Sequence, residues 1–155
     1  MEIYHKIGIR AKEEEVISAL KTQKGLTNWW TKEVSGDFNS GISTIGGSIS
    51  FGFGHGNAII MNVQNVTSNQ VLWECTSGPV DWVGSHIDFR LNLITNANGE
   101  NMVLLYFEHK DWRNVSEFTA HCSMKWATFL LSLKNYIENG VGNPSPNDIK
   151  IDDIN

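Results

Sequence analysis

Residues 114–139 read NVSEFTAHCSMKWATFLLSLKNYIEN, the longest helical pattern in the chain. Asn114 is the predicted N-cap, Glu117 follows three residues later to reach back to it, and Gly140 predicts the end of the helix. Such a helix has to bury a long apolar face, and the segments before it read as strands, so its predicted partner is a sheet. That face repeats at steps of three and four residues and comprises Val115, Phe118, Cys122, Trp126, Phe129, Leu133, Tyr136 and Ile137.

The chain before this helix predicts one strand, two short helices and then a series of strands. Apolar and polar residues alternate over 2–10, helix-forming residues follow at 12–20, and a second helical turn follows at 26–30. In the later strands every second residue is apolar and the residues between them are polar, which is typical of an antiparallel sheet covered on one side. These later strands are predicted at 32–38, 45–53, 58–66, 70–77, 84–94 and 101–109.

This order predicts an α+β fold in the helix-grip arrangement. A curved antiparallel sheet of about six or seven strands wraps around the long C-terminal helix, and two short helices follow the first strand. With 155 residues and 41% hydrophobic content, the chain is predicted to form one globular domain over residues 1–143. The acidic, proline-bearing residues 144–155 are expected to form a loosely ordered tail.

Charge and cysteine content exclude some classes of function. The net charge of −5 argues against a sequence-independent grip on nucleic acid, which relies on clustered Lys and Arg. No apolar run approaches the roughly 18 residues of a membrane span, and the N-terminus lacks the apolar core of a signal peptide. Cys75 and Cys122 fit buried thiols better than a disulfide framework. We therefore expect a cytoplasmic protein with no membrane span.

Four stretches resemble a known superfamily. They are the pair Trp29–Trp30, VLWECTSGPVDWVGSHIDFRL at 71–91, LLYFEHKDW at 104–112 and CSMKWATFLLSLKNYIENGVGNP at 122–144. Together they resemble the SRPBCC superfamily, also called START-like or helix-grip, and within it the branch named for activators of the heat-shock-protein-90 ATPase. The resemblance covers about residues 2–144.

The resemblance implies a hydrophobic cavity between the long helix and the concave sheet. Members of the superfamily use this cavity for lipids, sterols, polyketides or aromatic molecules, and a few are cyclases or dehydratases. The eukaryotic activators carry an additional N-terminal domain that docks on the chaperone. This sequence shows no counterpart of that domain, so contact with a chaperone is expected less than ligand binding.

Aromatic residues on the predicted inward faces are the main candidates for a ligand site. They either line a pocket with few polar contacts or simply fill the core. The cavity mouth is expected near Trp112 and His109, on the side of the helix that carries Phe118, Cys122 and Trp126. The complete set of candidate ligand-binding residues is Trp29, Trp30, Phe51, Phe53, Trp73, Phe89, Phe107, His109, Trp112, Phe118, Cys122 and Trp126.

The sequence does not present a catalytic, metal or cofactor motif. His109 continues an inward strand parity, so it either orients a ligand or ties the strand end to the helix, and the structural role is favoured. His55 lies in GFGHGN (52–57), but a strand rather than a helix follows, so this is a hairpin turn and not a phosphate loop. Neither HExxH nor CxxC spacing occurs, and no metal or cofactor is predicted.

The sequence therefore favours binding of a small apolar or aromatic ligand without catalysis. Two alternatives remain open: a cyclase- or dehydratase-like enzyme that uses His109 in the cavity, and an adaptor that activates a chaperone ATPase. The edge strands of the sheet permit pairing, so the chain is expected to be a monomer or a homodimer.

Overall fold

A computed structural model describes residues 2–152. The chain forms one strand, two short helices, eight further strands and one long helix, as the sequence predicts in outline. None of the helices within residues 2–152 is long and apolar enough to cross a membrane. The elements are β1 Ile3–Ile9, α1 Glu13–Lys21, α2 Gln23–Trp29, β2 Glu33–Gly36, β3 Phe38–Asn39, β4 Ile42–Ser43, β5 Ser48–Gly52, β6 Ile59–Val66, β7 Gln70–Ser77, β8 His86–Thr95, β9 Asn101–Lys110 and α3 Glu117–Asn139.

The main sheet has seven strands in the order β1-β9-β8-β7-β6-β5-β2. Every neighbouring pair in it is antiparallel, and β3 and β4 form a separate two-stranded ribbon. Strands β5 to β9 follow one another as a meander. The two edge strands are β1, which pairs with β9, and β2, which pairs with β5. The predicted α+β fold with its long helix and two early helices is confirmed.

The inward face of the sheet follows the predicted parity. The buried positions alternate along each strand because successive side chains of a strand point to opposite faces. Leu93 departs from the pattern: it is 53% exposed and lies near the end of β8. The buried inward residues are Ile49, Phe51, Met61, Val63, Val71, Trp73, Cys75, Ile87, Phe89, Leu91, Val103, Leu105 and Phe107.

The long helix α3 begins later than the sequence predicts. Ser116, not Asn114, is its N-cap: the Ser116 hydroxyl accepts a hydrogen bond from the Phe118 N–H at 3.2 Å. The Ser116 N–H in turn donates to the Thr119 hydroxyl at 2.9 Å, which completes a capping box. Val115 therefore precedes the helix and is 64% exposed, so its predicted place in the apolar face is wrong.

The predicted end of α3 is confirmed. Gly140 adopts the left-handed conformation at φ 84°, and its N–H donates to the Tyr136 carbonyl at 2.8 Å. Between its two ends the helix packs on the sheet through Cys122, Trp126, Phe129, Leu130 and Leu133, all of which are buried.

The two short helices pack closely on each other. The Trp29 indole N–H donates to the Ala19 carbonyl at 2.8 Å, which ties the end of α2 to α1. Gly25 permits this approach, because a Cβ there would lie 2.5 Å from the Ala19 Cα atom. This packing positions the adjacent Trp30, which is 2% exposed, over the concave face of the sheet.

Residues 144–152 pack more closely than the loosely ordered tail that the sequence predicts. Ser145 forms a parallel bridge with Thr31: its N–H donates to the Trp30 carbonyl at 2.8 Å, and its carbonyl accepts from the Lys32 N–H at 3.0 Å. Asp148 is 8% exposed. The rest of the predicted tail, residues 153–155, lies outside the described residues. Main-chain hydrogen bonds and a buried carboxylate therefore hold this segment against the domain.

Candidate functional site

An open groove of about 710 Å³ lies beside the N-terminal half of α3. One wall is the helix itself, and a second is formed by the connections that follow β5 and β7. The remaining wall is the C-terminal segment that contains Ser145 and Asp148. The groove thus joins segments that are far apart in the sequence.

Six Trp and Phe side chains line the groove. The Trp30 and Trp126 rings lie 5.1 Å apart, and the Trp82 ring stacks on Trp126 at 6.0 Å with an angle of 15° between the planes. Since these rings also contact the core, their positions are restrained before any ligand arrives. The aromatic lining residues are Trp30, Phe53, Trp82, Phe118, Trp126 and Phe129.

Charged side chains lie on the rim where α3 meets the C-terminal segment. Lys125 forms a short ion pair with Asp148, and Lys150 contacts the other carboxylate oxygen of Asp148 at 2.7 Å. The Lys125 and Asp148 side chains are only 12% and 4% exposed. The Lys125 ammonium also lies 5.0 Å from the centre of the Phe129 ring. This pair therefore joins the C-terminal segment to the helix beside the aromatic wall.

The pKa of Asp148 reflects this environment. Burial, the largest single influence, raises its pKa, but the hydrogen bonds from Lys125 and Lys150, the charge of Lys125 and a backbone hydrogen bond together outweigh burial and leave the pKa below its ordinary value. Asp148 is therefore a carboxylate at neutral pH, and both of its oxygens are engaged by ammonium groups.

Cys122 lines the groove as a protonated thiol. Burial raises its pKa to about 12, an effect that a hydrogen bond from the Trp82 side chain only partly offsets. A thiol with this pKa has almost no thiolate at neutral pH and is a poor nucleophile. Within residues 2–152, no three His, Cys, Asp or Glu side chains converge closely enough to hold a metal ion.

His109 lies behind the groove wall and not in the groove. It is wholly buried, its Nε2 is 2.8 Å from the Ser85 hydroxyl, and its Nδ1 accepts a hydrogen bond from the Trp126 indole N–H at 3.1 Å. Burial, with a smaller effect of His86, lowers the pKa of His109 to about 3. Both ring nitrogens are engaged and the ring is neutral. This arrangement favours the structural role over acid–base chemistry in the cavity.

The predicted site residues separate into two groups. Five of them line the groove: Trp30, Phe53, Phe118, Cys122 and Trp126. The others form a buried cluster behind it, in which ring centres of neighbours lie 4.7–6.2 Å apart. This cluster comprises Trp29, Phe51, Trp73, Phe89, Phe107, His109 and Trp112.

Several lining residues escaped the sequence analysis. Trp82 lies in the turn after β7, where periodicity carries no signal, although an aromatic residue in a short polar connection is unusual enough to indicate it. Lys125 could have been found, since it shares the helix flank of Cys122 and Phe129 at steps of three and four. Asp148 and Lys150 belong to the segment expected to be loose, so no local pattern indicated them.

The chain is similar to proteins of known structure. The chain is similar to the solution structure of the Aha1 dimer from Colwellia psychrerythraea, with 35% identity and a TM-score of 0.74, over 90% of this chain and 98% of that one. No protein-family model matches the chain, and no curated protein matches it significantly.

Two further solved structures share the fold at low identity. SSP2350 from Staphylococcus saprophyticus is 17% identical, with a TM-score of 0.64, over 90% of this chain and 93% of that one. DynU16, a protein of the dynemicin biosynthetic locus, is 19% identical, with a TM-score of 0.62, over 90% of this chain and 48% of that one. Because the Colwellia likeness spans nearly all of both chains at 35% identity, the chain belongs to the Aha1 branch of the SRPBCC superfamily, the branch named for activators of the heat-shock-protein-90 ATPase.

Proposed function

We propose that this protein binds a small apolar or aromatic molecule, of the lipid-like or polyketide-like kind, in the groove beside α3 and does not transform it. The observation that carries the proposal is an open groove of about 710 Å³ with six aromatic side chains in its walls. Sites of this size with apolar walls and few polar groups are typical of small-molecule binding. Removal of apolar surface from water contributes roughly 25 cal/mol per Å² before the entropy of association is subtracted.

The absence of catalysis in this proposal is supported by the chemistry of the lining. Cys122 is a protonated thiol, and His109 has both nitrogens engaged behind the wall. General acid–base catalysis requires a group of suitable pKa within reach of the substrate. A pKa of about 3 and complete burial make His109 unsuitable for that role.

The proposal is tested by ligand screening of wild-type protein and two surface variants. Fatty acids, flavonoids and sterols are screened by native mass spectrometry and thermal shift, and the best ligand is titrated by calorimetry. Phe118 lines the groove and is 37% exposed, so Phe118→Ala should weaken binding by about tenfold while the fold is preserved. Val115→Ala is the control, because Val115 is 64% exposed and does not line the groove.

Two results would contradict the proposal. One is that no compound in the three classes binds or stabilises the wild-type protein. The other is that Val115→Ala weakens binding as much as Phe118→Ala, since binding would then lie outside the groove.

Membership of the Aha1 branch supports a second candidate function, contact with the chaperone whose ATPase the branch is named for. The test is a pull-down with purified chaperone together with its ATPase rate. A rate that rises with added protein supports this function, and an unchanged rate contradicts it.

Two further expectations rest on single observations. The Colwellia relative was solved as a dimer, which supports a homodimer for this chain, and light scattering of the purified protein measures its mass.

Cys75 and Cys122 are both free and buried, which supports a reducing compartment such as the cytoplasm.

A further inference from the structure

The groove contains a buried hydrogen-bond donor that has no oxygen or nitrogen acceptor within the described residues. Trp82 lines the groove and is 7% exposed, and its Nε1 meets no oxygen or nitrogen acceptor among residues 2–152. An indole N–H only donates, and a buried Trp usually finds an acceptor. The one acceptor of Trp82 in this part of the chain is the sulfur of Cys122, whose pKa the hydrogen bond from the Trp82 side chain lowers, and a thiol sulfur is a weak acceptor. An oxygen atom of a ligand would be a stronger acceptor than this sulfur.

The charged side chains on the rim also favour a ligand with an anionic oxygen. Two ammonium groups, Lys125 and Lys150, and one carboxylate, Asp148, line the groove. Both oxygens of that carboxylate already accept from the two lysines. On the neighbouring part of the rim, His121 is paired with Asp152 at 2.9 Å. Among the residues that line the groove itself, ammonium groups thus outnumber carboxylates by two to one.

Lys150 is the more accessible of the two ammonium groups. Its side chain is 51% exposed, whereas that of Lys125 is 12% exposed. An ammonium group has three N–H donors, and the contact with Asp148 at 2.7 Å uses one of them. Lys150 can thus donate to an anion in the groove without breaking the ion pair that holds the C-terminal segment.

We propose that the ligand of this groove is an apolar or aromatic acid. Its hydrocarbon or ring body lies between the aromatic walls, its acid oxygen accepts a hydrogen bond from the Trp82 N–H, and Lys150 balances its negative charge. This inference rests on the proposed ligand-binding function and narrows it from apolar molecules in general to those that carry an anionic oxygen. Neutral and cationic molecules with the same body bind more weakly.

The test uses three probes that share one ring system: naphthoate, naphthylmethanol and naphthylmethylamine, titrated by calorimetry. For wild-type protein, we expect naphthoate to bind about tenfold more tightly than the alcohol, and the amine to bind most weakly. Trp82→Phe retains a ring and removes the N–H, so it should weaken naphthoate binding by about fivefold to tenfold. Lys150→Gln should also reduce the preference for naphthoate over the alcohol, because it removes a charge without disturbing the core.

Trp112→Phe is the matched control. Trp112 is also 7% exposed, its Nε1 likewise meets no oxygen or nitrogen acceptor within the described residues, and its ring lies 6.0 Å from that of Trp82, yet it does not line the groove. It should leave the preference among the three probes unchanged. Circular dichroism of each variant establishes that the fold is retained.

The outcomes separate this inference from the proposed function. If all three probes bind with equal affinity, the groove binds apolar molecules but the acid is not selected, and the inference is overturned alone. It is likewise overturned if Trp112→Phe changes the preference as much as Trp82→Phe, or if Lys150→Gln leaves the preference unchanged. If none of the probes binds, and the fatty acids, flavonoids and sterols do not bind either, the proposed function fails together with the inference.

Discussion

Trp126→Ala is expected to lower the free energy of unfolding by about 3–5 kcal/mol and to weaken ligand binding by at least about tenfold. Trp126 is 2% exposed and contacts the Trp30 and Phe107 rings at 5.1 and 4.6 Å. Its removal leaves a cavity in the core and also removes the hydrogen bond that the Trp126 indole N–H donates to His109. The same side chain lines the groove, so the substitution removes apolar contacts from the core and from the ligand-binding wall.

Leu133→Ala is the matched control for this prediction. Leu133 lies on the same helix and is fully buried, but it does not line the groove. We expect it to cost about 2–5 kcal/mol of stability and to leave ligand affinity unchanged. Chemical denaturation measures the first quantity and calorimetry the second. Equal losses of affinity in the two variants would show that α3 is not divided into a binding part and a packing part.

The buried His109 should make stability depend on pH. Burial lowers its pKa from 6.5 in the unfolded chain to about 3 in the folded protein. Between these values the unfolded chain binds a proton that the folded protein lacks, so stability is complete above pH 6.5 and is lost as the pH falls toward 3. Between pH 6 and 4.5 the expected loss is about 2 kcal/mol.

The variant His109→Gln isolates this effect. An amide can still donate to the Ser85 hydroxyl and accept from the Trp126 N–H, but it does not titrate. The difference in unfolding free energy between the two proteins should therefore shrink by about 2 kcal/mol as the pH falls from 6 to 4.5. Denaturant melts at several pH values measure it. Parallel pH profiles for the two proteins would show that His109 is not held neutral.

Local periodicity was sufficient to predict most of the fold. The alternation of Val71, Trp73 and Cys75 identifies the inward face of β7, because side chains of a strand alternate between faces regardless of what the strand packs on. Gly140 identifies the end of α3 for an equally local reason, the left-handed conformation that glycine tolerates. The start of α3 was predicted two residues early, because Asn114 and Ser116 are both good caps and only the backbone geometry chooses between them.

The candidate site was predicted less well. The apolar pattern of a strand or helix predicts that a side chain faces the core. It does not distinguish Phe107, which lies behind the groove wall, from Trp126, which lines the groove. That distinction depends on how far neighbouring side chains fill the space between the helix and the sheet. Trp82 lies in an irregular turn, where no period exists to place it.

By itself, the sequence determined the antiparallel meander, the apolar face of the long helix and the aromatic character of the space between them. Each of these is encoded within a short run of residues. Tertiary structure alone decided where that space opens and what closes it. Lys125 and Asp148 are 23 residues apart and meet only because Gly140 ends the helix and the Ser145 bridge returns the chain along it. A contact between distant segments depends on the path of the folded backbone, which no local periodicity encodes.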